Sequence, residues 1–224
     1  MKRSEINGII KDSMDFASKM GYHLPPFAFW TPAEWAGKSH EYDEIRENML
    51  GWDITDWSMG DFKNWGLVLF TVRNGNVHKK DNVKVFAEKM LVMNDGQREP
   101  FHYHWNKVED IINRGGGTLV IKLYNSTDDD KLADTAVHVA VDGRNFTMPA
   151  GCEIALKPGE SLTIFTRQFH KMWAKGGKVL AAEISKTNDD QEDNCFLEDL
   201  GRFPRIEEDE PPAYLLCNEY PKAK

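Results

Sequence analysis

Gly96, His102, His104, Glu109 and Gly116 stand in the spacing Gly-x5-His-x-His-x4-Glu-x6-Gly. Histidines at i and i+2 on an extended strand project from the same side, because successive Cβ atoms alternate across the pleat, so His102 and His104 converge on one point. Glu109, on the next strand of a hairpin, can bring its carboxylate to that point. Mixed imidazole and carboxylate donors suit a borderline divalent cation. His170, in the strand-like run Gln168-Phe169-His170-Lys171-Met172-Trp173, completes a set of three imidazoles and one carboxylate if a closed antiparallel barrel sets it opposite the first pair. Four protein ligands around an octahedral ion such as Mn²⁺ or Fe²⁺ leave two adjacent positions for water or for neighbouring oxygens of a substrate. His23, His40, His78 and His138 have no partner at such a spacing and read as structural or exposed.

These side chains need a rigid β framework, and the surrounding sequence supplies the pattern for one. From Trp65 onward, short apolar runs are cut by turn signals at Asn74-Gly75, Asp95-Gly96, Gly115 to Gly117, Asp142-Gly143, Pro158-Gly159 and Gly176-Gly177. Turns at this density between β-branched and aromatic runs predict antiparallel strands in a sandwich or barrel, over 66–72, 86–93, 98–104, 108–113, 118–124, 136–141, 145–149, 153–157, 161–166, 169–174 and 178–185. Ahead of them, Ile6, Ile10, Met14, Ala17 and Met20 recur at helical spacing, with Ser4 as N-cap and Gly21 as a left-handed stop. Residues 22–64 are rich in Pro, Trp and charge and read as ordered loops with short helices around Ala33 and over Tyr42 to Met49. The expected organisation is an N-terminal helix with ordered loops (1–64), a β-barrel (65–186) and a C-terminal extension of the same domain (187–224).

Composition narrows the function. The 224-residue chain is 41% apolar and 29% charged, enough for a core and without the bias of a disordered segment. Its formal net charge of −8, with acidic runs at Asp128 to Asp130, Asp189 to Asp193 and Glu207 to Glu210, disfavours nucleic acid as a partner. No stretch is long and apolar enough to cross a bilayer, and the N-terminus lacks the unbroken apolar core of a secretory signal, so a cytoplasmic protein acting on a small molecule is expected. Cys152, Cys195 and Cys217 are odd in number and widely spaced, fitting reduced thiols.

The glycine, histidine and glutamate spacing matches the first motif of the cupin superfamily, so the chain resembles a single all-β cupin, an antiparallel barrel or jelly roll, with an N-terminal helix and helical and loop decorations. The second cupin motif is degenerate: Gly159 and His170 stand at its places, while Phe165, Arg167 and Ala174 occupy its usual Pro, Gly and Asn positions. Over nearly its whole length the chain further resembles the D-lyxose isomerases. The resemblance rests on the MKRSEIN start, EPFHYHWNKVEDIINRGGGTL around the histidines, AAEISKTNDDQEDN after the barrel and GRFPRIEEDEPP near the end. It implies reversible conversion of D-lyxose to D-xylulose, and of D-mannose to D-fructose. The implied cofactor is Mn²⁺ or another divalent ion such as Co²⁺, Fe²⁺ or Zn²⁺, held by His102, His104, Glu109 and His170. A homodimer is expected, because cupin barrels have sheet edges and faces that need covering.

Such a reaction requires a base at C2 of the open-chain aldose, stabilisation of an enediolate and return of the proton at C1. Lys107, two residues before Glu109, shares its side of an extended strand, and burial near a dication would favour the neutral amine of a base. A rim lysine with its ammonium in water is the structural alternative. For the second proton-transfer group the resemblance points to Glu207 or Glu208, with Glu208 on the same side as the apolar Ile206, and Glu183 is a third candidate. Trp105 and Phe101 could wall a sugar site. Two other classes stay open: a metal-dependent cupin dioxygenase or oxidase, and a non-catalytic sugar-binding cupin.

Overall fold

The computed structural model describes residues 1–190 and 192–224. The N-terminal stripe forms helix α1 (Arg3–Lys19), and Gly21 ends it at φ +70°. Ser4 is not the N-cap. Lys2 takes that position, while Ser4 lies inside the first turn, where its amide and hydroxyl both donate to the Asp209 carboxylate at 2.9 and 2.6 Å. The cap is thus supplied from across the chain. Two short helices follow, α2 (Pro32–Trp35), closed by a Thr31/Glu34 capping box, and α3 (Asp43–Glu47).

The strands are β1 (Gly51–Thr55), β2 (Leu67–Arg73), β3 (Phe86–Met93), β4 (His102–His104), β5 (Glu109–Ser126), β6 (Leu132–Ala133), β7 (Val137–Val141), β8 (Arg144–Met148), β9 (Cys152–Leu156), β10 (Ser161–Ile164), β11 (Gln168–Lys186) and β12 (Asn194–Phe196). All strand pairs are antiparallel, along the order β1-β2-β3-β11-β5-β10-β7-β8, with β4 set between β11 and β12. β1 lies within the stretch read as loops. All five of its residues are buried, so it carries no alternation to betray it.

The glycines at 115–117 and 176–177, which read as turns, lie inside two long strands that pair with each other along most of their length. The register shifts between Lys175 and Val179, where the strands bend past one another. Gly116, at φ +91°, would place a Cβ 2.0 Å from the Lys178 carbonyl oxygen, so only glycine allows this approach.

Alternation along the strands divides the core. Leu67, Leu69, Leu91, Met93, Ile111, Met172 and Ala181 fill the barrel interior. The alternate residues Val68, Phe70, Met90, Val92 and Leu180 face outward and are covered by Ile6, Ile10 and Ala17 of α1. Leu67–Phe70 of β2 and Met90–Met93 of β3 read as continuous apolar runs because both faces are buried there. Toward one mouth the inward positions turn polar. Glu109 precedes Ile111, Lys89 precedes Leu91 and His170 precedes Met172 by two residues, and Glu183 follows Ala181 by two.

Candidate metal centre

Strand pairing assembles the histidines. His170 is registered against His102 on β4 and against Leu123 on β5, while Glu109 opens β5 beside Ser185 of β11. The candidate ligand atoms of His102, His104 and His170 all lie within 4.8 Å of one another. The Glu109 carboxylate meets them from the side, with Oε2 3.4 Å from His104 Nε2 and Oε1 3.3 Å from His170 Nε2. The structure therefore brings together all four residues picked out by spacing.

Backbone carbonyls orient the imidazoles. Nδ1 of His102 faces the Pro100 carbonyl at 3.2 Å, Nδ1 of His104 that of Asp193 at 3.3 Å, and Nδ1 of His170 that of Gln168 at 3.0 Å. A carbonyl oxygen only accepts, so each Nδ1 carries the proton and donates, leaving Nε2 with its lone pair. Burial, reinforced by the neighbouring imidazoles, holds His102 well below the ordinary histidine range; burial, then the Lys107 ammonium, lowers His104. The neutral His104 Nε2 lone pair thus faces a Glu109 carboxylate oxygen, acceptor against acceptor. His170 Nε2 is buried without a hydrogen-bond partner among the described residues. A divalent cation resolves both conflicts, and the N₃O donor set fits one.

Lys107 lies beside this cluster, buried, with Nζ 2.8 Å from Glu109 Oε2, 2.7 Å from Glu183 Oε1 and 3.1 Å from Asn188 Oδ1. The expectation of a neutral amine does not fit these surroundings. Burial pushes its pKa down, but the Glu109 and Glu183 carboxylates outweigh burial and hold it above the ordinary lysine range, so it is an ammonium. Asp193 fixes its backbone: the carboxylate accepts from the amides of Asn106 at 2.7 Å and Lys107 at 2.9 Å.

A narrow cavity of about 50 Å³ opens on these groups, and its walls include Thr55, Trp57, Lys89, Glu99, Asp190, Phe196 and Arg202. Lys89 donates to Asn188 Oδ1 at 2.8 Å and to Asp190 at 3.1 Å. Glu99 occupies one of the unspecified positions between Gly96 and His102, so spacing does not single it out. It is buried with Oε1 unpartnered among the described residues, and burial, then the Glu109 and Glu183 carboxylates, raises its pKa well above the usual range, which favours the protonated form.

Glu207 and Glu208 are not brought to this cavity. Ile206 packs against the outer cluster under α1, which turns the following residues outward. Glu207 pairs through its backbone with Met1 and Arg3, and Glu208, 57% exposed, accepts two bonds from the buried Arg3 guanidinium. Trp105 is 38% exposed and stacks edge-on against Tyr103, also outside the cavity, whose aromatic walls are Trp57 and Phe196.

Comparison with known proteins agrees with this architecture. A family model described as D-lyxose isomerase matches residues 1–220. The chain is 44% identical to the D-lyxose/D-mannose isomerase of Serratia proteamaculans and 43% identical to that of Escherichia coli O157:H7, in each case over 98% of both chains. Among solved structures, the L-ribose isomerase of Cellulomonas parahominis with L-ribose superposes with a TM-score of 0.62 at 13% identity, and that of Acinetobacter sp. DL28 with 0.60 at 11%, each covering 92% of this chain and 98% of the other. The fold is the cupin fold of these sugar isomerases.

Proposed function

The chain belongs to the D-lyxose isomerase family and is an isomerase, and from that premise we propose that it interconverts D-lyxose with D-xylulose, and D-mannose with D-fructose, by metal-assisted proton transfer through an enediol. His102, His104, Glu109 and His170 would hold the cation, with Mn²⁺ the favoured ion. When bound, such an ion supplies Lewis acidity to the oxygens that carry the developing charge.

The observation that carries the reading is the buried ammonium of Lys107 between Glu109 and Glu183, in the cavity of the three imidazoles. In this reading Glu183 is the base: its carboxylate takes the C2 proton of the open-chain aldose and returns it to C1. Lys107 donates a proton to O1 as the enediol forms and recovers one from O2 as the ketose carbonyl appears. The two side chains end as they began, so the step balances. Lys107 is thereby an acid and electrostatic stabiliser. An oxygen-activating cupin has no use for such a proton-transfer pair, and a purely sugar-binding one would leave it idle.

The test is direct. Purified protein with Mn²⁺ should convert D-lyxose to D-xylulose and lose that activity in EDTA; no ketose from D-lyxose or D-mannose with any divalent ion would refute the reading.

A further inference from the structure

Arg202 stands at the boundary of two cavities. It walls the narrow metal-side cavity and also an outer one of about 400 Å³, whose lining includes Asp53, Asn74, Asn188 and Asp190. One arm of its guanidinium, Nη2, donates to Asp53 Oδ2 and lies 3.8 Å from Asp190 Oδ2. The other arm, Nη1, is buried and has no hydrogen-bond partner among the described residues. Its backbone is fixed as well, since the Thr55 hydroxyl donates to the Arg202 carbonyl at 2.5 Å. A held guanidinium with one buried, unanswered NH2 group is unfavourable unless something arrives to accept from it.

We infer that Arg202 is a specificity-determining residue, donating from Nη1 to a hydroxyl at the far end of the open-chain sugar whose carbonyl end lies beside Lys107 and Glu183. The inference rests on the isomerase reading above. Trp57 and Phe196, in the same wall, offer apolar faces to the C–H side of the chain. The outer cavity gives room for the additional carbon of a hexose. Asp53 and Asp190 decide which oxygen is accepted: two carboxylates beside the guanidinium repel an anion, so the group taken is a neutral hydroxyl, and a phosphorylated sugar is turned away. Asp53 acts as a positioning residue.

The experiment compares wild type, Arg202→Met and Arg202→Lys, each loaded with Mn²⁺. Calorimetry measures the binding of D-arabinitol, the unreactive alditol of D-lyxose, and kinetics give KM and kcat for D-lyxose and D-mannose. Arg202→Met should weaken D-arabinitol binding by about tenfold or more, the loss of one charged hydrogen bond. KM should rise more than kcat falls. Arg202→Lys should do the same, since its ammonium is engaged by Asp53 and Asp190 while the charge, and hence the fold, is kept. If both variants fold and keep wild-type affinity and KM, Arg202 is structural and the inference is overturned while the isomerase reading stands. Wild type that binds D-arabinitol through Arg202 and isomerises no aldose would instead refute the isomerase reading and leave the subsite intact.

Discussion

Lys107 Nζ and Glu183 Oε1 lie 2.7 Å apart, although 76 residues separate them in the chain. Lys107 follows β4 on the turn pinned by Asp193, and Glu183 lies on the second half of β11, paired there with Lys89 of β3 and Ile111 of β5. Both are almost fully buried. Removing Lys107 takes the nearest cation from two buried carboxylates, and removing Glu183 leaves Lys107 with Glu109 alone, so structure and chemistry are tied at this pair.

Substitution of the pair should separate turnover from metal binding. Lys107→Met and Glu183→Gln are each expected to lower kcat by about 10²–10⁴-fold, the usual contribution of a positioned acid or base. Metal content measured by atomic emission should stay near one ion per chain. Activity above a tenth of wild type in either variant would remove that residue from the proton-transfer scheme.

Loss of a ligand should have the converse signature. His170→Ala is expected to abolish stoichiometric Mn²⁺ binding and, with it, the rise in thermal midpoint that excess Mn²⁺ gives the wild type, since a ligand bound only by the folded state stabilises it by mass action. Differential scanning fluorimetry with and without EDTA reads this directly; an unchanged metal-dependent shift would show that His170 is not a ligand.

Two acids predict opposite responses to pH in the metal-free protein. Asp190 is held well below the usual carboxylate range because the cations of Lys89, Arg202 and Lys107 overcome its burial. Its contribution to stability is therefore present above the unfolded pKa, about 4, and is lost as pH falls below that. Glu99 is raised, so the folded state keeps a proton that the unfolded chain releases, and stability declines as pH rises past about 4.3. Denaturant melts should show Asp190→Asn flattening the acid limb, and Glu99→Gln, an amide replacing a neutral acid, removing the decline above pH 5. An unchanged decline in Glu99→Gln would mean that Glu99 is ionised.

The crossing of β5 and β11 should be intolerant of a single methyl group. Gly116→Ala combines a φ of +91° with a Cβ 2.0 Å from the Lys178 carbonyl oxygen. It is expected to destabilise the fold by more than about 1 kcal/mol, whereas Gly143→Ala, at φ +79° with open space around its Cβ, should do less harm. Urea midpoints of the two variants test the ranking.

What the sequence could carry was whatever depends on local period. His102 and His104 share a face because the strand repeat is two, the stripe of α1 follows the helical repeat, and most outer strand limits between 66 and 186 fall near those drawn from the turn residues, whereas of the expected strand 98–104 only His102–His104 forms. His170 was legible through its place in the second motif. The glycines at 115–117 and 176–177 were read as turns because a turn and a bend inside a long strand ask for the same conformational freedom, and only the pairing of β5 with β11 distinguishes them.

The remaining features depended on which distant segments meet. Period two places Glu208 beside Ile206, but the side that Ile206 seeks is the outer cluster under α1, and the buried Arg3 then holds Glu208 there. The charge of Lys107 could not be read from its neighbours in sequence, since Glu183 arrives from another strand and reverses what burial alone would do. Glu99, Asp190 and Arg202 stand at no motif position, and tertiary packing alone gathers them around one cavity. The candidate ligand set was thus written in the spacing of two motifs, whereas protonation, orientation and the polar wall were set by long-range packing, because electrostatic fields in a buried site are sums over groups far apart in the chain.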